Sequence, residues 1–198
     1  ETPVIEGEVT SHGVQLITGG ENPSHIRANQ VINAAGHNSI MLAHAIEGDH
    51  VKDLPKPRYV KGSYFSITGR TPFSRLIYPM PGTASLGLHL TVDLGGRGKL
   101  GPDAEWLDED AVPPFDYRVD PKRAEHFYAS VRRYWPSLKD GSLAPDYAGV
   151  RPKLVGPGEP SGDFRIERNG GLINLLGIES PGLTSSLSIA DHVFDLLT

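Results

Sequence analysis

The stretch from Gly171 to Leu197, GLINLLGIESPGLTSSLSIADHVFDLL, constrains the chain most. Leu172 to Leu176 is a short apolar run closed by Gly177, the signature of a buried strand. Glu179-Ser-Pro-Gly182 is a turn. Thr184 and Ser185 are helix-start residues, and Leu187, Ile189, Ala190, Val193, Phe194 and Leu197 then recur at helical spacing. A strand, a Gly/Pro turn and a helix N-terminus in that order present unpaired backbone N–H groups and the positive end of a helix dipole. An anionic or electron-rich ligand edge can sit there. The same pattern also serves as an ordinary strand-to-helix connection with an N-cap.

With 198 residues the chain can form one large or two small domains. Its net charge of −5 disfavours nucleic-acid binding. No run reaches the roughly 18 apolar residues of a membrane span. There are no cysteines, which excludes disulfides and thiolate chemistry. The 23 glycines and 17 prolines indicate short strands and many turns rather than a helical bundle. The chain begins at Glu1 in mid-pattern, and no strand, Gly-rich turn and helix of the dinucleotide-binding type opens it. We expect a C-terminal piece of a longer protein, located in the cytoplasm, with a peripheral membrane association left open.

Val4 to Val9, Val14 to Thr18 and Ile26 to Asn33 read as an antiparallel meander. The small residues Ala34, Ala35 and Gly36 at its end allow close approach of a ligand, or of the next helix, Asn38 to Ile46. Beyond the Pro55-Lys-Pro-Arg58 linker, Tyr59 to Thr68, Leu76 to Pro79 and Ser85 to Val92 read as a second antiparallel sheet. Asp103 to Tyr117 reads as an acidic surface loop. Asp120 caps a helix with Pro121 in its first position, running to Tyr134 and ended by Trp135-Pro136. Its cations Lys122, Arg123, Arg132 and Arg133 are read as a solvated face. Leu143 to Leu154 and Phe164 to Glu167 are further strands. His37 and His44 lack companion ligands at metal-site spacing, so no metal site is expected.

Gly96-Arg-Gly-Lys-Leu-Gly101 matches the dinucleotide pattern G-x-G-x-x-G, but Pro102 and acidic residues follow where a helix should open. A hairpin turn is the better reading. Arg151 has no neutral form, so if buried it needs an anionic partner, a ligand carboxylate or a protein one. In Gly87-Leu-His89-Leu-Thr91, His89 alternates with two leucines and therefore faces away from them.

V-I-N-A-A-G, K-G-S-Y-F, G-L-H-L-T, L-G-P, A-G-V-R-P and G-I-x-S-P-G-L-T-S-S-x-x-I-A stand in this order: Val31–Gly36, Lys61–Phe65, Gly87–Thr91, Leu100–Pro102, Ala148–Pro152, Gly177–Ala190. Together they resemble the FAD-dependent oxidoreductases related to D-amino-acid oxidase, most closely the L-2-hydroxyglutarate dehydrogenase branch. The resemblance implies an α/β (α+β) fold: the C-terminal part of a glutathione-reductase-like FAD domain with an inserted antiparallel β-sheet substrate domain. Residues 1–56 and 172–198 would belong to the FAD domain and 57–171 to the substrate domain.

It implies FAD as cofactor and a small carboxylic acid as substrate, oxidised by hydride transfer to the flavin. Cofactor-binding residues would be Ala34, Ala35, Gly36, Lys61, Gly62, Gly177, Ser180, Pro181, Gly182, Leu183 and Thr184. Tyr64, Arg151 and Lys153 would bind substrate, and His89 would be the catalytic base; Tyr64 and His89 also fit as ordinary sheet residues. A missing N-terminal dinucleotide-binding segment would be the chain's structural partner, so the isolated chain is expected to hold FAD weakly or not at all. An amine or amino-acid oxidase of the same family and a cofactor-free, non-catalytic piece are the alternatives.

Overall fold

The structure is a computed structural model that describes residues 2–80, 87–160 and 162–198. In chain order its strands are β1 (Val4–Thr10), β2 (Gly13–Thr18), β3 (Ser24–Ala28), β4 (Val31–Asn33), β5 (Ile46–Glu47), β6 (Arg58–Ile67), β7 (Leu90–Val92), β8 (Gly98–Leu100), β9 (Glu105–Trp106), β10 (Leu143–Lys153), β11 (Arg165–Asn169) and β12 (Leu172–Leu176). The helices are α1 (Ser39–Ala45), α2 (Ala124–Val131) and α3 (Ser186–Leu197). No helix of the described residues is long and apolar enough to cross a membrane. The chain forms two compact units, Glu1–Arg58 with Arg151–Thr198, and Tyr59–Val150. Residues 151–171, read from sequence as part of the substrate domain, thus group with the first unit.

The first unit contains two sheets. One has the order β3-β2-β1-β5, and its meander is antiparallel as expected from the two short turns. The other has the order β11-β12-β4; β11 pairs antiparallel with β12, and β12 pairs parallel with β4. The sequence suggests one strand from Ile26 to Asn33, but the structure divides it. After Ala28 the chain leaves the meander, the Val31 N–H donates to the Gly171 carbonyl at 2.8 Å, and β4 joins the second sheet. Leu172 packs with Val14, Leu16 and Ile46, and Leu176 packs with Ile40 and Ala43 of α1. Apolar burial of this kind is worth roughly 1.5–3 kcal/mol per large side chain.

The second unit is a five-stranded sheet, order β10-β6-β8-β7 with β9 also on β6, and α2 contributes to its core. Phe65, Leu90, Leu100, Phe127 and Val131 are all fully buried there. Asp93 to Arg97 forms the β7–β8 hairpin turn: the Asp93 N–H donates to the Arg97 carbonyl at 3.0 Å, and Val92 pairs with Gly98. The G-x-G-x-x-G match is therefore a hairpin.

Four expectations need correction here. Leu76 to Pro79 forms no strand, only a bridge between Ile77 and Leu90. Of the strand expected over Ser85 to Val92, Ser85 and Leu86 lie outside the described residues, and pairing begins at Leu90. Asp103 to Tyr117 is not simply a surface loop. Asp103 is buried, accepts the Ser63 N–H at 2.7 Å and is paired with Arg123 at 2.5 Å, while β9 adds to β6. Arg123 also reaches Glu105 at 3.1 Å, and Arg132 bonds the Leu138 carbonyl and Asp140, so neither is merely a solvated charge. A sequence does not show which distant carboxylate a cation will meet. Asp120 does cap its turn, accepting the Lys122 N–H at 2.9 Å, and the helical segment is a 3-10 turn, Pro121–Arg123, leading into α2.

Candidate functional site

In the first unit, β4 and β12 run parallel with Asn33 opposite Asn174. Both strands therefore end on the same side of the sheet, and the carboxyl ends of parallel strands are where α/β sheets bind ligands. Ala34, Ala35 and Gly36 follow β4 and are exposed. A side chain added at Gly36 would meet nothing within 4 Å. Gly177, Ser180, Pro181, Gly182, Leu183 and Thr184 follow β12. Gly177 is packed against Leu154, and Gly182 closes a tight turn in which its N–H bonds the Glu179 carbonyl at 2.5 Å.

Thr184 and Ser185 were expected to cap α3. Instead both hydroxyls donate back to the Pro181 carbonyl, at 2.9 and 3.0 Å. That closes the turn and leaves the helix entrance open. Among the described residues, no acceptor bonds the N–H groups of Leu183 and Thr184, and Leu183 is 90% exposed. Two unpaired N–H groups at the positive end of a twelve-residue helix suit an electron-rich heterocycle edge. This donor set, with the open space at Gly36, fits a flavin.

Arg151 and Lys153 lie in the same unit at the end of β10. Arg151 is half-buried, and among the described residues no hydrogen bond or ion pair engages its guanidinium. Lys153 differs: its ammonium is paired with Glu179 at 2.5 Å in a largely buried contact. That pair ties the β10 end to the turn before α3.

In the second unit the register decides which residues share a face. Phe65 pairs with Leu100 and Leu90 pairs with Leu100, and all three point into the core. One residue along, Tyr64 and His89 both flank Gly101 on the opposite face, and the Gly101 N–H donates to the His89 carbonyl at 3.0 Å. A side chain at Gly101 would strike the Tyr64 ring at 2.7 Å. The row extends at both ends. Tyr147 stacks on Tyr64 with centroids 4.5 Å apart, and Tyr78 lies 4.0 Å from the His89 ring. Leu88 and Leu90 are buried, and His89 between them is only partly so. Tyr134 donates its hydroxyl to the Leu88 carbonyl at 3.2 Å, and burial pushes that hydroxyl up to about 12, so it stays a donor. Lys99 sits 4.9 Å from the centre of the Tyr147 ring and 3.2 Å from Asp146.

Gly62 is one pleat repeat from Tyr64, and Lys61, three residues from Tyr64, falls on the other face by alternation. Lys61 donates to the Arg118 carbonyl at 2.6 Å, and Gly62 packs so closely on Pro102 that a side chain would meet it at 2.8 Å. Both have roles within the sheet itself. Gly101, Tyr78 and Tyr147 escape the sequence reading. The first was legible, because a hairpin centred on Asp93 to Arg97 places residue 101 opposite residue 89.

The chain matches the profile of the FAD dependent oxidoreductases, DAO, over residues 1–196. It belongs to this family. The DAO-family relatives include the mitochondrial L-2-hydroxyglutarate dehydrogenase of Arabidopsis thaliana, 48% identical over 83% of this chain and 37% of that protein. A glycerol 3-phosphate dehydrogenase of Caloramator mitchellensis is 25% identical over 98% of the chain and 38% of its own length. The chain thus spans well under half the length of these curated relatives. Among solved structures, dithionite-reduced L-alpha-glycerophosphate oxidase from Mycoplasma pneumoniae, with FAD bound, superimposes with a TM-score of 0.75. That similarity covers 99% of this chain and 50% of that one at 22% identity, which establishes the fold. The family is FAD-dependent, and the mixed α/β architecture with several sheets is that of FAD-dependent oxidoreductases.

Proposed function

We propose that the whole protein is a flavin-dependent dehydrogenase or oxidase of a small 2-hydroxy acid of the L-2-hydroxyglutarate type. One observation carries this reading: His89 and Tyr64 share the non-core face of the second unit's sheet, with the side-chain-free Gly101 between them. An imidazole is suited to take a hydroxyl proton near neutral pH. The 48% identity to an L-2-hydroxyglutarate dehydrogenase supports the choice of acid.

Most of the residues assigned to the cofactor, with Arg151 and Lys153, belong to the first unit, and His89 and Tyr64 belong to the second. When bound, FAD accepts the hydride from the carbon that carries the hydroxyl. Ala34, Ala35 and Gly36 give the cofactor's backbone close approach. The Leu183 and Thr184 N–H groups and the α3 dipole would stabilise negative charge growing on the bound cofactor, as preorganised donors do. Arg151 binds the substrate carboxylate through its two-pronged guanidinium. His89 receives the hydroxyl proton. Tyr64 lines the substrate face. A second carboxylate on the substrate would compete with Glu179 for Lys153, or with the Arg118 carbonyl for Lys61. The remainder of the FAD site comes from the dinucleotide-binding segment that these 198 residues lack in sequence.

Anaerobic mixing of the whole protein with L-2-hydroxyglutarate, glycine and glycerol 3-phosphate tests the proposal. Flavin bleaching by the hydroxy acid alone is the expected result. Bleaching by an amino acid in its place would move the protein to the amine-oxidising side of the family, and absence of flavin would end the reading altogether.

A further inference from the structure

Asn174 is an anomaly in an otherwise apolar strand. It is fully buried, and among the described residues its Nδ2 has no hydrogen-bond partner. Its neighbours across the sheet are both polar. On one side Asn33 is its parallel-strand partner and donates Nδ2 to Asn174 Oδ1 at 2.9 Å. On the other side Glu167 is its antiparallel partner, and Glu167 Oε1 is likewise buried without a partner among the described residues. An unpartnered donor and an unpartnered acceptor thus occupy adjacent positions of one cross-strand row. Each would be costly if left so.

The polarity of the row runs in one direction. Arg165 donates to Glu167 Oε2 at 2.6 Å and to the Asp53 carbonyl at 2.7 Å, which anchors the carboxylate. Asn174 can only donate towards Glu167, because its oxygen already accepts from Asn33. Asn33 in turn donates to the Ser39 carbonyl at 2.7 Å and accepts the Ala35 N–H at 3.3 Å. The last bond lies inside the exposed Ala34–Gly36 turn. A reversed Asn174 amide would set oxygen against carboxylate at one end and N–H against N–H at the other.

We propose that Glu167, Asn174 and Asn33 form a directional hydrogen-bond relay that positions the Ala34–Gly36 turn for the cofactor. Asn174 Nδ2 donates to Glu167 Oε1 through one buried water. Glu167 fixes the orientation of the Asn174 amide, Asn174 fixes that of Asn33, and Asn33 holds the Ala35 N–H. The three are positioning residues that act from inside the sheet. The link to the flavin rests on the function proposed above, whereas the link to the Ala35 N–H does not.

The test uses the whole protein with Glu167→Leu, Glu167→Gln and Asn174→Asp. Two readouts are followed: the FAD dissociation constant, and hydrogen–deuterium exchange of the peptide carrying Ala34 to Gly36. Glu167→Leu and Asn174→Asp should each weaken FAD by about tenfold or more and accelerate exchange in that peptide. Glu167→Gln leaves one acceptor oxygen, for which Arg165 and Asn174 then compete, and should fall between Glu167→Leu and wild type in both readouts. If Glu167→Leu fails to fold, Asn174→Asp decides, since it keeps the acceptor for Asn33 and sets a carboxylate oxygen where the donor faced Glu167. Lowered thermal stability with wild-type FAD affinity and wild-type exchange would overturn the relay and leave a plain structural contact. Faster exchange in a protein that holds no FAD would keep the relay and sink the flavin reading.

Discussion

Gly36 and Gly177 occupy matching positions, each three residues past the paired Asn33 and Asn174, and both have positive φ, +58° and +69°. Their surroundings differ. A methyl at Gly177 would lie 2.6 Å from Leu154 Cγ, whereas one at Gly36 would meet open space. Gly177→Ala is therefore expected to cost about 1–2 kcal/mol of left-handed strain plus roughly 1–3 kcal/mol of overpacking. Gly36→Ala should carry only the strain, yet weaken FAD. Thermal melts of both variants, with FAD titrations beside them, check this; equal stability losses would refute the packing difference.

His89→Gln in the whole protein should lower kcat by roughly 10²–10⁴-fold with fold and flavin spectrum intact. A variant that melts earlier but turns over normally would make His89 only a strand-ordering residue.

Arg151→Lys keeps the charge and loses the planar fork. KM for the hydroxy acid should rise by an amount equivalent to about 1.5–3 kcal/mol, the range for a hydrogen bond to a charged group. Steady-state kinetics across a series of 2-hydroxy acids measures it, and an unchanged KM removes Arg151 from the substrate site.

Asp103→Ala removes the acceptor of the Ser63 N–H and the partner of Arg123 at once. A buried donor left unsatisfied costs about 1–3 kcal/mol, and the half-buried Arg123 adds to this. Denaturant unfolding should show a loss in that range. A change below about 0.5 kcal/mol, the size of ordinary surface substitutions, would contradict the buried pairing.

The 198-residue chain purified alone should emerge from gel filtration without stoichiometric flavin, because no strand, Gly-rich turn and helix unit is present in its sequence. An absorbance spectrum of the eluted peak answers the question, and a retained flavin band near one equivalent counts against the expectation.

Local chemistry made much of this legible in the sequence. The apolar run Leu172 to Leu176, the meander turns, the Asp120 cap and the hairpin at Asp93 to Arg97 are dictated by neighbours in the chain. So is the alternation that separates His89 from Leu88 and Leu90. Tertiary structure alone decided the rest, because it depends on which distant residues meet. Ile26 to Asn33 splits because β4 finds a better partner in β12 than in the meander. Asp103 changes from a loop charge to a buried acceptor because Arg123 and the Ser63 N–H converge on it. Lys153 pairs with Glu179, 26 residues away, while Arg151, two residues earlier, meets no such partner among the described residues. The Asn33–Asn174 bond spans 141 residues of sequence. Local propensity acts over a few residues, whereas register and ion pairing are settled only when the strands pack.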